Sequence, residues 1–195
     1  MGGAPQACRG QTAAPRLVFA AQLVLALFVL CLAGCAAESP PDWLTALRYL
    51  LSRRFTLDYR AHHLAVSETP LPAGNAAGSR LPLVWSSRYP GMLVVRGAVN
   101  GEPVLIQLDT GKSRTCVDPA FAARLGLPPA PDGVSIRELS LGGVSFLVSS
   151  AKRVSFSGIS QDLPEPIAVG IGSDVLARLL LTVDYPGRLA FIARR

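Results

Sequence analysis

Charged and aromatic residues are both scarce in this chain. Of its 195 residues, 16% are charged, below the roughly 25% of an average soluble domain, and 7% are aromatic. The 19 basic residues include Arg9 and Arg16, so 17 basic and 13 acidic residues remain beyond position 34, a net charge of +4. This excess is small and scattered, and the few aromatic residues offer no platform for stacking bases. We therefore expect no nucleic-acid partner.

Long apolar runs are scarce too. One extends from Leu17 to Leu32, interrupted only by Gln22, and it falls short of the about 20 residues that a membrane-spanning helix needs. The sequence has no second such run, which excludes a polytopic membrane protein. With Arg9 and Arg16 ahead of it, the run is typical of the apolar core of a secretory signal peptide.

The residues after the apolar run, Leu32-Ala33-Gly34-Cys35, resemble the lipobox of bacterial lipoproteins. There the cysteine becomes the first residue of the mature chain and carries a lipid. The resemblance implies a signal peptide over 1–34 and a protein of the bacterial cell envelope, anchored to a membrane through Cys35. Ala36 follows the cysteine, which favours the outer membrane, facing the periplasm. Ordinary cleavage after Ala37, which would discard Cys35, is the alternative.

Few cysteines remain for other roles. Cys8 and Cys31 lie within the predicted signal peptide, and Cys35 is the predicted lipid acceptor, so only Cys116 is left. The chain therefore has no internal disulfide framework. A lone thiol of this kind is most often a small buried hydrophobe, and we expect that role for Cys116.

Residues 35–80 are expected to form a tether, a short amphipathic helix and a linker. Asp42 is a plausible N-cap for a helix over Trp43–Arg54, which could lie on a membrane surface or pack against the following domain. Phe55–Val66 alternates loosely and suggests a strand. The adjacent His62 and His63 point to opposite faces in a strand, so we expect surface residues and no metal site.

Residues 81–195 have the texture of a β-domain. Short apolar runs are separated by turn residues, and Asn100-Gly101 is a favourable hairpin turn. This pattern predicts a small β-barrel or sandwich with two short helices, over Pro119–Leu125 and Ser173–Leu180. The predicted strands are Leu81–Trp85, Met92–Val99, Pro103–Leu108, Ser135–Leu141, Val144–Ser149 and Leu181–Asp184.

The informative motif is Asp109-Thr110-Gly111, at the end of the apolar run Val104–Leu108. Taken alone, this tripeptide is typical of an ordinary turn. Its context changes the interpretation. It follows the Arg96–Gly101 hairpin and precedes Ala122–Leu127, Leu139–Gly143, Val169–Leu176, Leu181–Tyr185 and Leu189–Ile192. In that order, from about Tyr89 to Ala193, these segments resemble the retropepsin-like aspartic proteases, particularly the bacterial periplasmic type.

The resemblance implies a small closed β-barrel with one or two short helices and an aspartic endopeptidase activity. The chain holds one Asp-Thr-Gly motif, whereas the chemistry needs two carboxylates. The active site would therefore form in a homodimer, with Asp109 from each chain. Thr110 would hold the two turns together and Gly111 would admit the backbone of a peptide or protein substrate. No metal or organic cofactor is implied.

One residue departs from the family pattern. The position after Asp-Thr-Gly is usually Ala or Ser, and here it is Lys112. Lys112 could face the carboxylates, turn outward, or bind an acidic substrate side chain. The alternative function is therefore a catalytically inactive retropepsin-like lipoprotein that binds peptides or acts as a scaffold. The family covers its cleft with a mobile hairpin, the flap. The candidate for it here is the span Pro128–Gly143, with Asp132-Gly133 as its tip.

Overall fold

The computed structural model describes residues 48–68 and 78–195. The predicted signal peptide, the lipidation residue Cys35, the start of the predicted helix and most of the linker lie outside these residues. No helix in the described part of the chain is long and apolar enough to cross a membrane.

A closed β-barrel forms the centre of the described chain. Its strands are β4 (Val94–Val99), β5 (Glu102–Leu108), β6 (Cys116–Val117), β7 (Pro129–Ala130), β8 (Gly133–Leu141), β9 (Val144–Arg153) and β10 (Ile167–Ile171). Six of them pair in the cyclic order β4-β5-β10-β6-β9-β8, and pairing of β4 with β8 closes the ring, while the short β7 extends from β8. The fold predicted from the sequence, a small closed barrel with few short helices, is confirmed.

A second sheet of five strands lies beside the barrel. Its strands are β1 (Arg54–Asp58), β2 (His63–Ser67), β3 (Ser79–Pro82), β11 (Leu179–Asp184) and β12 (Leu189–Arg194), and they pair in the order β2-β1-β11-β12-β3. The predicted strand near Phe55–Val66 is thus a hairpin of two strands, whose β1 pairs with β11. The predicted domain boundary at residue 81 stays a prediction, but β1 and β2 from its N-terminal side share a sheet with β11 and β12.

The helical residues 48–51 end earlier than the sequence predicted. Arg54 was expected to close the helix, and instead it begins β1 because Arg54–Asp58 gains a full antiparallel ladder against β11. Leu50 and Leu51 pack against the apolar core. The described part of this helix therefore buries its apolar side on protein.

The helices α1 (Pro119–Arg124) and α2 (Ser173–Leu176) lie near their predicted positions. Asp118 caps α1, because its carboxylate accepts hydrogen bonds from the backbone N–H groups of Ala120 and Phe121, which have no partner inside the helix. The prediction that α2 continues to Leu180 was wrong. Leu179–Asp184 pairs with β1 on one side and β12 on the other, and periodicity alone cannot separate a short apolar strand from a helix.

The Asn100-Gly101 turn joins β4 to β5 as predicted. Both residues have positive φ, 50° and 87°, which is the backbone of a type I′ hairpin turn. The turn fixes the antiparallel register in which Val95 lies opposite Ile106. The same hairpin therefore determines where β5 ends and where the Asp109 turn begins.

Two apolar clusters fill the interior. The larger one draws on both sheets and includes Val95, Ile106 and Ile171. The smaller one contains Cys116 and Phe156. Cys116 is buried and free, so its predicted role as a small hydrophobe is confirmed. Burial raises the pKa of the Cys116 thiol, which makes the residue a poor nucleophile.

Candidate active site

Asp109 stands at the point where two parallel strands end. β5 and β10 lie side by side, with Leu108 opposite Ile171, and all five residues of β10 are buried. The ladder extends one step further, since the Asp109 backbone N–H donates to the Ile171 carbonyl at 2.9 Å. The strand pairing therefore fixes the position of the Asp109 backbone, and its side chain is only 2% exposed.

The turn of Asp109-Thr110-Gly111 organises its own carboxylate. The Gly111 backbone N–H donates to Asp109 Oδ1 at 3.1 Å, and the Lys112 N–H donates to the Asp109 carbonyl at 3.3 Å. Gly111 is exposed and Thr110 is partly exposed. The turn thus presents a held carboxylate beneath an accessible backbone.

Lys112 faces the carboxylate rather than turning outward. Its Nζ lies 3.4 Å from Asp109 Oδ2 and 5.4 Å from the centre of the Phe156 ring. The ammonium group is thus attracted both by the carboxylate and by the face of an aromatic ring. The two carboxylate oxygens therefore have different partners, a backbone N–H at Oδ1 and a cation at Oδ2.

The segment Val169–Leu176, which also contributes to the family resemblance, packs against the loop that follows the Asp109–Gly111 turn. Gly172 follows β10, and a Cβ atom there would lie 2.8 Å from the Lys112 carbonyl oxygen. The next residue, Ser173, donates its N–H to that oxygen at 2.8 Å. The Asp174 carboxylate accepts from both the N–H and the hydroxyl of buried Thr115, at 3.0 and 2.8 Å. The structure thus brings together Asp109–Gly111 and Val169–Leu176.

Tyr59 is a site residue that the sequence reasoning missed. It lies in the turn between β1 and β2, and its hydroxyl donates to the Thr110 carbonyl at 2.5 Å. Burial, together with the charge of Asp109, raises the pKa of Tyr59 to about 12. Thr110 lies 51 positions further along the chain, so no local pattern could have indicated the contact.

The candidate flap region forms a short hairpin. β7 and β8 pair at only two positions, Pro129 with Val134 and Ala130 with Gly133. At the tip, Asp132 Oδ2 lies 3.0 Å from a guanidinium nitrogen of Arg114, in the segment that follows the Asp109 turn. An ion pair therefore joins this hairpin to the loop after the Asp109 turn, which contains Lys112 and packs against Gly172.

The remaining candidate groups do not join the site. Asp184 ends β11 and accepts a hydrogen bond from the Gly187 N–H at 3.1 Å, so it stabilises its own turn. His62 and His63 are exposed, as predicted. Over residues 48–68 and 78–195, no three His, Cys, Asp or Glu side chains come together in a way that could hold a metal ion.

Comparison with known proteins finds a partial family match and distant structural similarities. The family described as aspartyl protease matches residues 95–174. No curated protein matches the chain. A retropepsin-like aspartic protease from Rickettsia conorii shares 15% identity at a TM-score of 0.40, over 58% of this chain and 91% of its own. Basic 7S globulin from soybean shares 16% identity at a TM-score of 0.40, over 82% of this chain and 55% of its own.

The match begins in β4 and ends in α2, so it takes in the hairpin, the Asp109 turn and the supporting Gly172–Asp174 block. These are the parts that the structure brings together around one carboxylate. The family match is thus confined to residues 95–174, less than half of the 195 residues, and it agrees with the resemblance that the Asp109–Gly111 motif and its context indicate in the sequence.

Proposed function

We propose that this chain is a homodimeric aspartic endopeptidase that hydrolyses peptide bonds with Asp109 from two copies. One observation carries the proposal: Asp109, directly after β5, is a buried carboxylate whose Oδ1 accepts the Gly111 N–H. The family match around this turn supports the same assignment. Because the sequence holds one Asp-Thr-Gly motif, a second copy supplies the second carboxylate across a twofold axis, the commonest symmetry of oligomers.

The chemistry follows from placing two carboxylates together. At about 3 Å they cannot both ionise easily, so they share one proton. The ionised carboxylate takes a proton from a water molecule, whose oxygen attacks the peptide carbonyl, while the protonated one donates to the developing oxyanion. Thr110 contacts its counterpart across the axis, and exposed Gly111 lets the substrate backbone approach. No cofactor takes part in these steps.

Lys112 sets the pH range of this activity. A cation 3.4 Å from Asp109 Oδ2 favours the state in which both carboxylates are ionised. That state lacks the proton that the mechanism needs. The proposed enzyme is therefore active in acid, where the shared proton is restored. Lys112 is also placed to pair with an acidic side chain of the substrate.

The proposed location is the bacterial cell envelope. Lipid attached to Cys35 anchors the protein to a membrane, and the residue after it favours the outer membrane, with the barrel in the periplasm. The apolar run Leu17–Leu32 and the Leu32–Cys35 sequence support this assignment. The substrates are then peptides or proteins of that compartment.

The test is cleavage of a broad peptide library by a soluble form that starts near Asp42, beside its Asp109→Asn variant. Cleavage by the wild type and none by the variant is expected. The Lys112–Asp109 pair is the observation on which the alternative, an inactive peptide-binding or scaffolding lipoprotein, depends. If the folded wild type and Lys112→Ala both fail to cleave at any pH, while peptides still bind, that alternative replaces the enzyme.

A further inference from the structure

The β1–β2 turn is firmly anchored beside the Asp109 turn. Asp58, at the end of β1, is buried. One of its oxygens accepts the Ala61 N–H at 2.9 Å and the other pairs with the Arg195 guanidinium. The His62 N–H donates to the Tyr59 carbonyl at 3.3 Å. The backbone of Tyr59 is therefore held from both sides, and its side chain has a defined direction.

The Tyr59 hydroxyl acts on one particular peptide group. The carbonyl that it contacts, that of Thr110, and the N–H that donates to Asp109 Oδ1, that of Gly111, belong to the same planar peptide unit. In a trans peptide these two groups point in opposite directions. Fixing the carbonyl on the Tyr59 side therefore fixes the N–H on the Asp109 side.

We infer that Tyr59 is a positioning residue for the catalytic carboxylate, which it orients through the Thr110–Gly111 peptide. This role rests on the proposed function of Asp109. Tyr59 lies outside residues 95–174, so the family match does not cover it. Without the hydroxyl, the peptide plane is free to tilt, and the Gly111 N–H no longer holds Oδ1 in one place.

The protonation state of Tyr59 suits this role. Its pKa of about 12 keeps the hydroxyl a donor throughout the range in which an aspartic protease works. The carbonyl of Thr110 can only accept, so the direction of the bond is fixed. The contact therefore persists across that whole pH range.

Tyr59→Phe tests the inference, because it removes only the hydroxyl and keeps the ring that packs against the core. Tyr185→Phe is the matched control, since the Tyr185 hydroxyl also donates to a backbone carbonyl, that of Gly91, at 3.0 Å. Two quantities are measured for the folded wild-type protein and each folded variant. The first is kcat and KM for a peptide that the wild type cleaves, and the second is the NMR chemical shift of the Gly111 amide proton.

For Tyr59→Phe we expect kcat to fall about fivefold, the effect of losing one hydrogen bond to a neutral carbonyl. KM should change little, and the Gly111 amide proton should move upfield. Tyr185→Phe should change neither kcat nor this shift. If Tyr59→Phe keeps both the wild-type kcat and the wild-type Gly111 amide proton shift, the inference is overturned. If the wild type cleaves nothing, the proposed function fails, and the Gly111 shift alone decides whether Tyr59 orients the peptide.

Discussion

Replacing Lys112 by Met removes a charge and keeps a side chain of similar length against Phe156. At 3.4 Å, an ion pair in an effective dielectric of about 20 is worth about 5 kcal/mol before solvent is considered. The Lys112 side chain is 31% exposed, so screening reduces this to about 1–2 kcal/mol. This is the energy by which Lys112 favours the state of the dyad in which both carboxylates are ionised, and Lys112→Met removes it.

The direction of the shift follows from the charge that is lost. The cation stabilises the fully ionised dyad, so without it the single proton is retained to higher pH. The alkaline limit of activity of Lys112→Met should therefore move to higher pH, measured as kcat/KM against pH on one peptide. Lys112→Arg keeps the charge and should retain the wild-type limit. A limit that stays in place in Lys112→Met would show that the ion pair does not act on the dyad.

Three further results are expected. Specific activity should fall on dilution as the dimer dissociates. A protein that sediments as a monomer and keeps the same specific activity at every concentration would contradict the shared site. Cys35→Ser should abolish labelling by radioactive palmitate in bacteria, and persistent label would remove the proposed anchor. Gly172→Ala should lower the free energy of unfolding by about 1–3 kcal/mol in a denaturant titration, because its Cβ would meet the Lys112 carbonyl oxygen at 2.8 Å. Gly158→Ala, whose Cβ meets nothing within 4 Å, is the control, and equal losses would refute the packing argument.

The parts of the fold that were predicted correctly depend on local chemistry. The turn between β4 and β5 needs positive φ at both of its central residues, and few residue pairs adopt that backbone as readily as Asn-Gly. The hairpin could therefore be predicted from Asn100 and Gly101 alone. Asp118 followed by Pro119 marks the start of α1 in the same way. The end of β5 at Leu108 and the turn at Asp109 then follow from the apolar run and the small residues after it.

The errors occurred where distant strands decide the outcome. Leu179 and Leu180 joined β11 instead of the predicted helix, and Arg54 joined β1 instead of the other predicted helix, because β1 and β11 pair with each other across more than a hundred positions. Neither segment carries a local signal for its partner. Tertiary pairing outweighed a weak helical pattern in both.

In the candidate site too, local sequence indicated some features and distant contacts decided the others. Its carboxylate was identified from the Asp-Thr-Gly motif in its context. The direction of Lys112 was left open, because a lysine on a turn can face either way and only the positions of Asp109 and Phe156 decide. Tyr59 was missed entirely, since its function depends on a turn that is remote in sequence and adjacent in space.

The most direct measurement of the central claim is cleavage of a peptide library by wild type and Asp109→Asn at matched folded concentration. The amide is nearly the same size as the carboxylate, so the barrel should keep its unfolding midpoint, but it cannot take a proton from water. We expect acid-dependent cleavage by the wild type, inhibited by a mimic of the tetrahedral intermediate, and none by Asp109→Asn. Cleavage that persists in Asp109→Asn would contradict the assignment of Asp109 as the catalytic carboxylate.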